Sequence, residues 1–373
     1  TIMNLYICRM GTHPSGPSKV AEDGKLLSDW LKENSSTVGV TAGGYPADDL
    51  PFLFKVLSVR TALSIQAHPD KALAQQLHTA HPDVYKDGNH KPEMVIALTD
   101  FECMYGFRDL SEIKENLSKF PEFQEVIQSQ GSLEECLADP ESAFKNLFEK
   151  YMACDDAFVG GKVAAMVARL EKEGSSRALS ELEQLMLRLN SQYQSDTGVF
   201  SPLLMNYIKL KVGESFFIVA NELHAYLSGD CIECMALSNN VVRAGLTPKL
   251  KDKATLSRML QYKSGTPPLL QPIKINEQTI LYRPPVQSCS EFEVEVTTLP
   301  QAPTERTTEL QALPCASLLI VTAGGSATMT VEGKASNVSE GSVLFVAAGA
   351  KVAVSVPGAS DDYVVYRAHA NLG

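Results

Sequence analysis

The chain has 373 residues, more than one hydrophobic core usually holds, so two or three domains are expected. Hydrophobic residues make up 44% and charged residues 21%, a globular composition that argues against disorder. The net charge of −11 argues against a nucleic-acid partner, and no apolar run reaches the roughly 18 residues a membrane span needs.

The sequence starts at Thr1 without an initiator Met, and its opening, TIMNLYICRM, does not read as a signal peptide, because the apolar run is short and Arg9 interrupts it. Eight cysteines are too sparse for a disulfide framework and point to a reducing, cytoplasmic setting. The stretch MGTHPSGPSKV is rich in turn formers, and His13 within it reads as a surface residue. A short helical patch, KLLSDWLKEN, follows. Residues 51–68 read as one buried strand, bounded by Pro and interrupted by Lys55 and Arg60. Within it, Gln66 and His68 lie two apart and face the same way. Leu73, Leu77 and His81 then have helical spacing, and the polar turn YKDGNHKPE carries Glu93 to the head of the apolar run MVIALTDF.

From 107 to 199 the period changes. Leu110, Ile113, Leu117 and Phe120 fall three and four apart, as do Phe144, Leu147, Phe148, Tyr151 and Met152. Val163, Met166, Val167 and Leu170, then Leu182, Leu185, Met186 and Leu189, repeat the pattern. This is the 3.6-residue period of amphipathic helices, and it predicts a helical insert whose Met and Phe positions form a core. From Leu203 the period returns to two, and from about Ile273 short β-rich runs separated by Gly and Pro read as a second all-β unit.

One spacing recurs. Gly213, Asn221 and His224 are separated by the same eight and eleven residues as Gly341, Gly349 and Val352. Gly and Asn both tolerate positive φ, so each set predicts a strand, a tight turn, and a strand that presents one side chain into a barrel. That side chain is His224 in the first copy and Val352 in the second, so two related barrels are expected, one with a metal site and one without. Gln66, His68, Glu93 and His224 offer two imidazoles and two oxygen donors, a donor set that suits Zn²⁺ and leaves room for water or substrate. The plainer alternatives are a polar turn at His68-Pro69-Asp70, a solvated Glu93 and a core histidine at 224. Cys231 and Cys234 form a lone CxxC inside a strand and read as core packing. Arg243, Lys249 and Lys91 are cations placed to bind an anion such as phosphate.

The segments PFLFKVLSV, LSIQAHPDK, NHKPEM, NELHAYLSGDCIECM and NVVRAGLTPK resemble the type I mannose-6-phosphate isomerases, a zinc-dependent branch of the cupins, and the resemblance runs over nearly the whole chain. It implies a mainly β fold of two cupin jelly-roll barrels with an inserted helical domain. The divisions expected are a catalytic barrel of residues 1–106 and 200–264, a helical insert of 107–199, and a C-terminal jelly roll of 265–373 without a metal site. It implies one Zn²⁺ per chain on Gln66, His68, Glu93 and His224, and a catalytic Arg243. Ser64, Lys91 and Lys249 fall where the family contacts substrate or its phosphate. The base is left open between a metal-bound hydroxide and a nearby carboxylate such as Glu233. The implied reaction interconverts mannose 6-phosphate and fructose 6-phosphate through a cis-enediol and feeds GDP-mannose synthesis, in a monomer with a small sugar phosphate as its partner. A metal-dependent cupin oxygenase and a non-catalytic sugar-phosphate binder are the rival readings. Two departures stand out. The family usually begins several tens of residues earlier, with an aromatic residue where Arg9 stands, so one side of the catalytic barrel is expected to be short. Asn239 also replaces the usual Asp of SDNVVRAG, which is expected to reduce activity if that carboxylate assists proton transfer.

Overall fold

The computed structural model describes residues 5–41, 45–140, 142–358 and 361–373; the first four residues of the opening stretch lie outside them. Nine strands form the first sheet system: β1 (Leu5–Met10), β2 (Phe52–Val59), β3 (Ile65–Ala67), β4 (Glu93–Ala97), β5 (Phe101–Phe107), β6 (Met205–Leu210), β7 (Ser215–Ile218), β8 (His224–Ala236) and β9 (Val242–Gly245). Helix α1 (Leu27–Glu33) precedes β2, and α2 (Lys71–Ala80) follows β3, with Asp70 capping it through the Leu73 N–H. Six helices lie between β5 and β6: α3 (Leu110–Lys119), α4 (Pro121–Gln128), α5 (Leu133–Leu137), α6 (Ala143–Ala153), α7 (Asp156–Gly174) and α8 (Glu181–Gln192). Helix α9 (Lys253–Met259) closes this part of the chain.

The long strand β8 belongs to both walls of the first barrel. Its C-terminal half pairs with β2 and β4, and its N-terminal half with β5 and β3. The changeover is at Gly229, where φ is +103° and a Cβ would stand 2.4 Å from the Asp100 carbonyl oxygen. Only glycine fits that corner. Gly229→Ala is therefore expected to cost roughly 2–4 kcal/mol of stability through strain and overpacking. Calorimetry would show it as a lowered Tm, and an unchanged Tm would contradict this account of the corner.

Both faces of the barrel wall are covered. Leu57, Val59, Val95, Phe101, Phe216 and Tyr226 fill the interior. On the outer face, Phe52, Phe54, Met94, Ile96 and Ile232 pack against Phe292, Val294, Leu318, Ile320 and Tyr366 of the C-terminal part. Elsewhere the outer face, including Ala225, Leu227 and Val242, meets the helices, where Met166, Met186, Phe123 and Phe148 are buried.

The C-terminal part holds β10 (Ile273–Lys274), β11 (Thr279–Tyr282), β12 (Glu293–Leu299), β13 (Arg306–Leu310), β14 (Ser317–Ala323), β15 (Ala327–Val331), β16 (Lys334–Val338), β17 (Val343–Val346), β18 (Val352–Val356) and β19 (Tyr363–His369). A six-stranded sheet, β10-β11-β12-β19-β14-β17, and a four-stranded one, β13-β18-β15-β16, enclose an apolar core. Gly213, Asn221, Gly341 and Gly349 all have positive φ, at 83°, 65°, 85° and 79°. Strand β8 begins at His224 and β18 at Val352, so the repeated spacing marks the same turn in two jelly-roll barrels.

Two local expectations need correction. The stretch 51–68 is not one strand, because the chain bends at 60–64 between β2 and β3. There Leu63 N–H bonds to Tyr226 carbonyl oxygen and Ala62 N–H to Gln192. The strand passes from one wall to the other, which an apolar run does not reveal. His13 is not a surface residue: it is 5% exposed. Burial and the cations Lys55 and Arg9 lower its pKa. Cys231 and Cys234 do pack in cores, both buried and free, Cys231 facing the barrel interior and Cys234 the C-terminal part, so three-residue strand spacing separates them. No helix among the described residues is long and apolar enough to cross a membrane.

Candidate metal centre

The three titratable groups named from sequence converge inside the first barrel. His68 follows β3, Glu93 opens β4 and His224 opens β8; one ligand atom from each lies within 4.8 Å of the others, and all three are buried. Pairing explains the convergence. Gln66 lies opposite both His224 and Arg243 in the sheet, and directly paired residues project from the same face.

The hydrogen bonds fix how each imidazole is presented. His68 Nδ1 is 2.7 Å from the Asn240 carbonyl oxygen, and His224 Nδ1 is 3.0 Å from that of Glu222. A carbonyl oxygen only accepts, so both Nδ1 atoms carry the proton. Burial and nearby Lys91 pull the His68 pKa down to about 4, leaving that ring neutral with a lone pair on Nε2. That atom is buried without a hydrogen-bond partner. It stands 3.3 Å from Glu93 Oε1, and His224 Nε2 stands 3.3 Å from Glu93 Oε2.

A neutral imidazole lone pair facing a carboxylate oxygen is two acceptors in contact, an arrangement a cation between them would resolve. Metal bonds of about 2.0–2.1 Å in a tetrahedral site put neighbouring ligand atoms about 3.3 Å apart. The donor set therefore fits a small divalent ion. Burial raises the Glu93 pKa, but the Lys91 ammonium opposes it, and the carboxyl lies well below its ordinary range. Lys91 Nζ is 2.9 Å from Glu93 Oε1, and the Tyr226 hydroxyl donates to Oε2 at 3.1 Å.

Gln66 stands at the edge of this group, with Nε2 at 3.5 Å from His224 Nε2 and Oε1 accepting from the Ser64 hydroxyl at 2.9 Å. A half-turn of the amide exchanges the two ends, offers Oε1 to the site and leaves Ser64 as its acceptor. Arg243 is half-buried, and burial lowers its pKa. Among the described residues its guanidinium has no carboxylate partner. Glu233, 3% exposed, faces the barrel interior in contact with the Lys55 ammonium. Lys249 is exposed beyond β9, away from the ligand cluster's hydrogen bonds. Asn239 is exposed on the rim, where its side chain meets Ser15 at 3.4 Å.

Sequence reasoning passed over Lys55, Tyr226 and the Asp87–Asn240 contacts. Two signals were present. Lys55 is a charge inside an apolar strand, and Tyr226 is two residues beyond His224 and so on its face of β8.

Two jelly-roll barrels, a helical insertion and a buried His–Glu–His cluster in one barrel define a metal-dependent cupin protein. Residues 6–110 match the family model of the phosphomannose isomerase type I catalytic domain, and 119–205 that of its helical insertion domain. Mannose-6-phosphate isomerase 1 of Arabidopsis thaliana is 41% identical over 372 residues, spanning 97% of this chain and 84% of the relative. The mannose-6-phosphate isomerase of Homo sapiens is 39% identical over 376 residues, spanning 96% and 87%. A zinc-bound mannose 6-phosphate isomerase structure superposes with a TM-score of 0.79 at 29% identity, covering 98% of this chain and 91% of the other. The chain belongs to the type I phosphomannose isomerase family. Solved structures of the Salmonella typhimurium enzyme include alanine variants at a histidine, at a lysine and a glutamate two residues apart, and at a glutamate and an arginine ten apart.

Proposed function

We propose that this chain interconverts mannose 6-phosphate and fructose 6-phosphate, as an aldose–ketose isomerase working by proton transfer through a cis-enediol. The observation that carries the reading is the pair of buried imidazoles aimed at one buried carboxylate, within a chain that belongs to this family. His68, Glu93, His224 and Gln66 would hold Zn²⁺, the ion named in related solved structures. When bound, it supplies Lewis-acid polarisation of the substrate carbonyl.

The remaining work falls to the chain's own side chains. Arg243, without a carboxylate partner among the described residues, stabilises the negative charge that develops on O1 and O2. Glu233 takes the proton from C2 and returns it at C1, with the Lys55 ammonium against its carboxylate. The spacings support both assignments: Lys91 and Glu93 are two apart and Glu233 and Arg243 ten apart, as in the pairs of variants above. Lys91, beside Glu93, meets the reacting end of the sugar; Lys249 meets the phosphate; Ser64 orients Gln66.

The proposed divisions are 1–106 with 200–264 for catalysis, 107–199 for the insert and 265–373 for the second barrel. The proposal includes a monomer in a reducing cytoplasmic setting, the latter supported by eight free cysteines. The test is a coupled assay on mannose 6-phosphate with parallel oxygen monitoring. Fructose 6-phosphate should form without oxygen uptake, and a chelator should abolish it. Oxygen consumption without isomerisation would support the oxygenase reading, and tight substrate binding without turnover the binding-protein reading.

A further inference from the structure

We infer that Asp87 is a positioning residue for the metal centre, fixing the tautomer and direction of His68 through the backbone of Asn240. The inference rests on the metal reading above. The Nδ1–H of His68 donates to a main-chain carbonyl, that of Asn240, at 2.7 Å. The imidazole is therefore held only as firmly as the segment between β8, which ends at Ala236, and β9, which begins at Val242.

The Asp87 carboxylate pins that segment. Oδ1 accepts from Ser238 Oγ at 2.8 Å, from Asn240 Nδ2 at 3.2 Å and from Asn89 N–H at 3.0 Å, and Oδ2 accepts from Asn239 N–H at 2.7 Å. The Asn240 side chain answers with bonds to the carbonyl oxygens of Asp87 and Asn89, at 2.7 and 2.9 Å, and Asn89 Nδ2 reaches that of Leu237 at 3.0 Å. Two turns are thus stitched together: one holds the acceptor for His68, and the other leads into Glu93. A carboxylate suits the position because it accepts on both oxygens and donates on neither.

Without Asp87 the Asn240 carbonyl loses its fixed place. The proton of His68 is then free to move to Nε2, and a protonated Nε2 cannot bind a metal. Orienting partners of this kind are worth about 10–100-fold in metal affinity. Asp87 acts one bond further out, so the lower end applies.

The test uses the full chain as wild type, Asp87→Ala and Asp87→Asn, with three readouts. Competition with a chromogenic chelator gives the zinc Kd, ¹⁵N–histidine spectra of the metal-free protein give the His68 tautomer, and thermal unfolding gives the metal-free Tm. Asp87→Ala is expected to raise the zinc Kd about tenfold and to move His68 from the Nδ1–H form toward a mixture. Asp87→Asn keeps one acceptor oxygen and should fall between, so it decides the matter if Asp87→Ala does not fold. A lowered Tm with an unchanged Kd and an unchanged Nδ1–H tautomer would overturn the inference, since Asp87 would then be merely structural. If wild type itself binds no zinc, the metal reading fails instead, and the tautomer comparison still decides the role of Asp87.

Discussion

His224→Ala is expected to lose its metal and nearly all activity while keeping the fold. The imidazole supplies one of the few donors to the site and lies 3.3 Å from Glu93 Oε2. Losing the ion removes electrophilic stabilisation worth several kcal/mol, so kcat/KM should fall by roughly 10³-fold. The fold should survive, because the barrel wall does not depend on this side chain. The equivalent corner of the second barrel is built with Val352, which is fully buried among Leu319, Met329 and Val365. The metal-free Tm should therefore change little. Elemental analysis, circular dichroism and the coupled assay together check this. A fully active variant that still carries its metal would remove His224 from the site.

Arg243→Ala separates transition-state from ground-state roles. The guanidinium stays charged at any working pH and presents a fixed fork of donors. It is half-buried, and its partner across the sheet is Gln66. If it stabilises the enediolate, its loss should lower kcat by roughly 10²-fold, as removal of an oxyanion donor does, while KM changes little. Metal content should be unchanged, because arginine is not a ligand here. Lys249→Ala is the comparison: loss of a phosphate contact should raise KM and spare kcat. A large rise in KM with kcat intact in Arg243→Ala would move this residue to the phosphate site.

Much of this architecture was legible in the sequence because it repeats. The eight- and eleven-residue offsets carry a backbone requirement, positive φ at two positions, and the turns at Gly213, Asn221, Gly341 and Gly349 all meet it. Helices α3, α6, α7 and α8 were legible because each buries one stripe, whereas the shorter α4 and α5 fall outside the four periodic runs. The break between β2 and β3 was not, since both faces of the barrel wall are covered and the period-two alternation vanishes in PFLFKVLSV. The residues around the metal centre divide the same way. Imidazoles and a carboxylate stand out by chemistry. The carbonyl oxygens of Asn240 and Glu222, which orient those imidazoles, belong to the main chain, and no residue type announces them. Asp87 looked like an ordinary turn former, because the segment it pins lies more than 150 residues away in sequence. His13 was misread for the opposite reason: its turn composition suggested exposure, while the fold buries it.

The central claim is that isomerisation depends on one metal ion held by His68, Glu93 and His224 with Gln66. The most direct test strips the purified protein with a chelator, removes the chelator, and titrates zinc back while turnover of mannose 6-phosphate is followed. Activity should start near zero, rise in proportion to added zinc and break at one equivalent per chain. Full turnover by the metal-free protein, with no response to added zinc, would contradict it.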